Sequence, residues 1–139
     1  MKYSSAKEQD TQRLGENSGQ KSRGGELFLL SGELGGGKTQ FVKGLAKGLG
    51  IKDEITSPTF TYEKIYRGSK LTLYHFDLYR ENDLDPDIRL LLSEAISDPE
   101  GVVAVEWADR ARNFWPKKYE LYEFVWKGEN EREISVTKK

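Results

Sequence analysis

The chain has no cysteine and one histidine, His75. That excludes disulfides, thiolate metal sites, cysteine nucleophiles and any metal centre built from several imidazoles. No apolar run approaches the length of a membrane span, and the N-terminus lacks the apolar core of a signal peptide. The expectation is a soluble, cytoplasmic protein without membrane contact. An excess of one charge is missing too: 22 Lys and Arg face 23 Asp and Glu, for a net charge of −1. Such a balance does not suit a stand-alone nucleic-acid binder. At 139 residues the size indicates one domain, 1–139, with little room for a lid or a second substrate domain.

The informative stretch is residues 27–44, LFLLSGELGGGKTQFVKG. Its segment 32–39, GELGGGKT, matches G-x-x-x-x-G-K-[ST] in full, between a short apolar strand pattern (27–30) and a helix pattern (38–49). Each residue type has a physical reason to be there. Gly32, Gly35, Gly36 and Gly37 permit backbone angles closed to other residues and let the main chain approach a ligand. Successive N–H groups then point inward to cradle phosphate oxygens. The helix beginning near Lys38 adds unpaired amides and the positive end of its dipole. Lys38 supplies a full charge for β- and γ-phosphates, and the Thr39 hydroxyl is placed for Mg²⁺. The plainer alternative is a glycine-rich turn capping an ordinary helix; the flanking strand and helix favour the nucleotide.

Elsewhere the chain alternates strand and helix signals. Residues 1–25 are polar: 2–14 can hold a short helix, and 16–25, without an apolar residue, read as a loop or a poorly packed, poorly ordered helix. Residues 61–67 and 71–77 flank the turn RGSK and form an antiparallel hairpin, as do 119–127 and 131–137 around KGEN. Residues 84–96 are a helix with Pro86 in its first turn. Residues 102–105, VVAV, are a second buried strand. The expected fold is α/β, a P-loop NTPase-like three-layer core whose mixed sheet carries antiparallel hairpins.

A P-loop needs an acid at the end of a neighbouring strand for its metal, and Glu106 follows VVAV in that position. A solvated strand-end glutamate is the competing reading. Asp77 closes LTLYHFD; it either acts on a Mg²⁺-bound or attacking water or forms a turn. His75 shares a strand face with Asp77 and reads first as a packed structural histidine. The hydroxyl-rich segment TSPTF (56–60) is either a γ-phosphate-sensing switch loop or a turn into the hairpin. Trp107 can lie near the nucleotide, at a partner surface or in the core. Phe114, Trp115 and Pro116 mark either an interface or a loop folded onto its own core.

The order GELGGGKT, TSPTF, YHFDLYR and VEW resembles the TsaE family, the P-loop ATPases of bacterial threonylcarbamoyladenosine biosynthesis. The likeness runs from about Thr11 to Val136. It implies ATP and Mg²⁺ as cofactors and hydrolysis that is weak alone and activated in a complex with TsaB and TsaD. That complex attaches threonylcarbamoyl to the adenosine beside the anticodon of tRNAs reading codons that start with A. Tracing the likeness onto this chain assigns the phosphates to Gly35, Gly36, Gly37, Lys38 and Thr39, and Mg²⁺ to Thr39 and Glu106. Lys38, Asp77 and Glu106 would act in catalysis. Thr59 would be the switch-like threonine, and Thr11 and Arg132 would border the nucleotide. Contact with tRNA would be indirect, through the complex. Two other functions use the same P-loop: a small-molecule kinase, which needs an acceptor pocket and a lid, and a nucleotide-sensing binding module.

Overall fold

Four consecutive apolar residues, Leu27 to Leu30, form the centre of the sheet and are all buried. In a computed structural model of the chain, every residue is described except 33–36, 59–60, 80–83, 112, 117 and 129–130. The described elements are β1 (Lys2–Ser5), α1 (Glu8–Lys21), β2 (Glu26–Gly32), α2 (Lys38–Gly48), β3 (Glu63–Arg67), β4 (Thr72–Asp77), α3 (Pro86–Ile96), β5 (Gly101–Glu106), a 3₁₀ turn (Ala108–Ala111), β6 (Glu120–Trp126) and β7 (Arg132–Lys138). The strands make one mixed sheet in the order β1-β7-β6-β2-β5-β4-β3. β2 runs parallel to β5 and β6, and β4 runs parallel to β5. The hairpins β3–β4 and β6–β7 are antiparallel, as their turn signals indicate.

Parallel strands covered on both faces need apolar residues at successive positions, and all six residues of β5 are buried. Alternation divides them between two cores. Phe28, Leu30, Leu73, Val102 and Ala104 pack under α2 with Phe41, Val42 and Leu45. Leu27, Leu29, Phe76, Val103 and Val105 pack against Ile88, Leu92 and Ala95 of α3. The result is a helix–sheet–helix, three-layer arrangement. The start of α3 is set locally: the Asp85 carboxylate accepts the Asp87 amide at 2.8 Å, and Pro86 takes the first-turn position where no donor is needed.

The N-terminal residues correct the sequence reading. Residues 2–5 are a strand, not the start of a helix; they pair with β7 from Lys2↔Ser135 to Ser5↔Arg132 and cover its outer edge. The helix begins at Glu8 and continues through 16–21, where the composition suggested a loop or loose packing. It needs little apolar stripe because its closest contacts with α2 are made by main chain. A Cβ at Gly15 would lie 2.1 Å from the Phe41 carbonyl oxygen, and one at Gly19 would lie 2.4 Å from that of Leu45. On the facing helix, a Cβ at Gly44 would lie 1.8 Å from the Gln12 oxygen, and one at Gly48 2.3 Å from that of Glu16. Glycines four apart share a helix face, and each pair admits the other backbone.

Candidate functional site

Three adjacent parallel strands bring their C-terminal ends together. Leu30 lies opposite Glu106, and Glu106 lies opposite Asp77. This edge of an α/β sheet is where ligands bind. Strand alternation puts Glu106, Asp77 and His75 on the face covered by α2, in phase with Ala104 and Leu73. The three side chains are buried within an otherwise apolar layer, as is Lys38. Buried groups of this kind require partners, and each of the four side chains has at least one.

α2 opens on Gly37, whose φ of 99° is a left-handed conformation suited to glycine. No side chain caps this end and no acid occupies its first turn. Its leading amides and dipole are therefore suited to an anion. The Lys38 ammonium donates to the Gly32 carbonyl at 2.7 Å and stands 4.1 Å from the centroid of the Trp107 ring. It thus ties the exit of β2 to the start of α2. Gly35 and Gly36 lie outside the described residues, as does Thr59.

Thr39 and Glu106 meet directly. The Thr39 hydroxyl is 3.0 Å from each Glu106 carboxylate oxygen. Glu106 Oε2 is also 2.6 Å from His75 Nε2. His75 Nδ1 is buried with no partner among the described residues. Beside this group, Asp77 Oδ2 accepts the Ser57 hydroxyl at 3.0 Å and Oδ1 accepts the Tyr79 amide at 2.9 Å. The segment 56–58 therefore meets the strand-end aspartate through Ser57. Composition identified that segment, but it did not single out Ser57 or the Tyr79 amide.

Trp107 follows Glu106 with a φ of 60°, uncommon for a bulky residue. Its ring lies near Lys38 and has the Arg110 guanidinium 5.3 Å away. Tyr79 packs on it at a centroid distance of 5.0 Å. Trp107 also packs against the α3-side core, so core and site positions coincide for this residue. Phe114 and Trp115 fold onto that same core, and the Trp115 indole donates to the Ala108 carbonyl. Both side chains are half-buried there.

Thr11 and Arg132 arrive from opposite ends of the chain. A Cβ on Gly37 would lie 3.2 Å from Arg132 Cδ and 3.6 Å from the Thr11 methyl. Thr11 is buried and shares a 2.7 Å hydrogen bond with the Ser5 hydroxyl. Both residues therefore border the start of α2. Among the described residues no cluster of three His, Cys, Asp or Glu side chains could hold a metal alone. One carboxylate with one hydroxyl is instead the hard-oxygen set that Mg²⁺ uses when phosphates complete its shell.

Comparison with known proteins shows which family the chain resembles. The model of the TsaE family, threonylcarbamoyl adenosine biosynthesis protein TsaE, matches residues 5–134. A tRNA threonylcarbamoyladenosine biosynthesis protein TsaE of Treponema pallidum is 40% identical over 136 residues, covering 98% of this chain and 99% of that protein. The protein of the same name from Bacillus subtilis is 35% identical over 137 residues, covering 99% of this chain and 85% of its own. The crystal structure of Bacillus subtilis YdiB matches with a TM-score of 0.79 at 32% identity, over 99% of this chain and 84% of that one.

Proposed function

The chain belongs to the TsaE family, and from that premise we propose that it is a Mg²⁺-dependent ATPase of tRNA threonylcarbamoyladenosine biosynthesis. Its partners in this reading are TsaB and TsaD, and its hydrolysis is weak until it joins them. The modified base is the adenosine beside the anticodon in tRNAs reading codons that start with A. A net charge of −1 supports reaching tRNA through those partners, because binding the phosphate backbone directly calls for a basic surface.

The observation that carries the reading is the Thr39–Glu106 contact at the head of α2, with the Lys38 ammonium beside it. Thr39 and Glu106 would hold Mg²⁺, which supplies neutralisation of β- and γ-phosphate charge. The chain's own residues do the rest. Lys38 sets a full positive charge within the loop, and the first amides of α2 add fixed dipoles where charge grows on the γ-phosphoryl oxygens. Asp77, held by Ser57 and the Tyr79 amide, has the fixed orientation needed to align a water. Thr11 and Arg132 border the nucleotide.

The test is phosphate release by the purified chain with ATP and Mg²⁺, alone and with the TsaB–TsaD pair. Slow turnover alone, acceleration by the partners and loss of both with Lys38→Ala are expected. Undiminished hydrolysis by a folded Lys38→Ala protein overturns the proposal. Nucleotide-controlled assembly without hydrolysis would instead make the chain a binding module.

A further inference from the structure

We propose that His75 is the positioning residue for Glu106: its Nε2–H grips Oε2 and aims the carboxylate at the divalent cation. This rests on the reading of Thr39 and Glu106 as the Mg²⁺ pair and adds a residue to it.

The geometry is specific. His75 is opposite Ala104 in the β4–β5 register, and Glu106 lies two residues further along β5. The small side chain opposite leaves the imidazole free to reach diagonally along the sheet, where Nε2 comes within 2.6 Å of Oε2. That is short for a nitrogen–oxygen contact and fits a donor to an ionised acceptor. The ring is wholly buried, and Nδ1 has no partner among the described residues. A hydrogen on Nδ1 would be a buried donor with nothing to bond among the described residues. The hydrogen therefore resides on Nε2, directed at the carboxylate. If packing were its only role, an aliphatic or aromatic side chain would fill this apolar layer without leaving a polar nitrogen unsatisfied.

The second half of the argument concerns Thr39. Its one hydroxyl hydrogen is shared between both Glu106 oxygens, each at 3.0 Å. A hydroxyl that turns a lone pair to a metal loosens this hold. Among the described residues, His75 is then the side chain still fixing Glu106. It keeps Oε2 engaged and leaves Oε1 on the Thr39 side. Outer partners of this kind orient metal ligands, and their removal lowers metal affinity by about 10–100-fold.

The experiment compares ADP binding in chelator and in Mg²⁺, by calorimetry, for the parent, His75→Leu and His75→Gln. Metal-free affinity should stay within about twofold for both variants. The gain on adding Mg²⁺ should fall by about 10–100-fold in His75→Leu and recover largely in His75→Gln, which restores a donor. Because His75 is the only histidine, nitrogen-15 NMR of the parent chain reads its tautomer without overlap. The expected spectrum has hydrogen on Nε2 and shifts with ADP plus Mg²⁺ but not with ADP in chelator. An unchanged Mg²⁺ gain in folded His75→Leu, or a hydrogen on Nδ1, overturns the role of His75 alone. A parent chain that shows no Mg²⁺ gain overturns the metal reading of Thr39 and Glu106 with it. Should His75→Leu not fold, the tautomer and the His75→Gln titration decide.

Discussion

Gly44 of α2 rests on the carbonyl oxygen of Gln12 in α1, so closely that a Cβ at position 44 would lie 1.8 Å from it. Both sides of this contact are main chain, and no side chain can rotate aside. Gly44→Ala is expected to cost about 3 kcal/mol or more, the upper end for overpacking, read as a lower denaturant midpoint. Gly128 has nothing within 4 Å of its Cβ position, so Gly128→Ala should stay within about 0.5 kcal/mol of the parent.

Glu106 is buried against Thr39 and His75, and its charge serves the proposed metal. Glu106→Gln keeps the shape and removes the charge. Losing several kcal/mol of charge stabilisation corresponds to a fall of at least about 100-fold in Mg²⁺-dependent hydrolysis. Phosphate release measured across a magnesium titration checks this; a parent-like titration curve would exclude Glu106 as a ligand.

Asp77 and Ser57 separate chemistry from binding. Asp77→Asn should lower the hydrolysis rate by about 10²–10⁴-fold, the range of general acid–base contributions, and leave ADP affinity near that of the parent. Ser57→Ala removes one hydrogen bond to a carboxylate and should have a smaller effect, within about tenfold. Single-turnover phosphate release beside equilibrium ADP binding distinguishes them. A parallel loss of affinity would place Asp77 in binding.

Tyr74 and Asp98 give a pH dependence away from the site. The Tyr74 hydroxyl donates to Asp98 Oδ2 at 2.7 Å and ties β4 to the turn before β5. This hydrogen bond, with burial, pushes the Tyr74 phenol up to about 12. The same bond, with the Glu100 amide, holds Asp98 below its ordinary value. A raised phenol contributes stability below about pH 10 that is lost as pH climbs toward 12. A lowered carboxyl contributes stability above about pH 4 that is lost on acidification. Tyr74→Phe should therefore be less stable than the parent on the plateau between those limits, with the difference shrinking at both ends. Urea unfolding across pH tests this; a difference that does not change with pH would refute it.

Much of the fold can be read from contacts close in sequence. The run at 27–30, the hairpin turns and Pro86 after Asp85 act over a few residues, and the elements formed where they indicated. The place of Glu106 was readable for the same reason: it ends an apolar strand in a chain that carries a P-loop motif. Helix α1 was not. Its packing depends on Gly15 and Gly19 meeting the backbone of α2 and on Gly44 and Gly48 meeting that of α1, and a hydrophobic periodicity does not register glycine. In hindsight, the four-residue glycine spacing on both segments was the available signal.

The glycine-rich motif and its candidate acid partners follow from chemistry written along the chain, because glycine freedom, a lysine charge and a strand-end carboxylate are local properties. Which atoms meet is a matter of register between strands distant in sequence. Sliding β4 along β5 by one residue would turn His75 and Asp77 away from α2. The pairing of His75 with Ala104 and Asp77 with Glu106 is what makes a buried imidazole a neighbour of Glu106, and no spacing in the sequence states it.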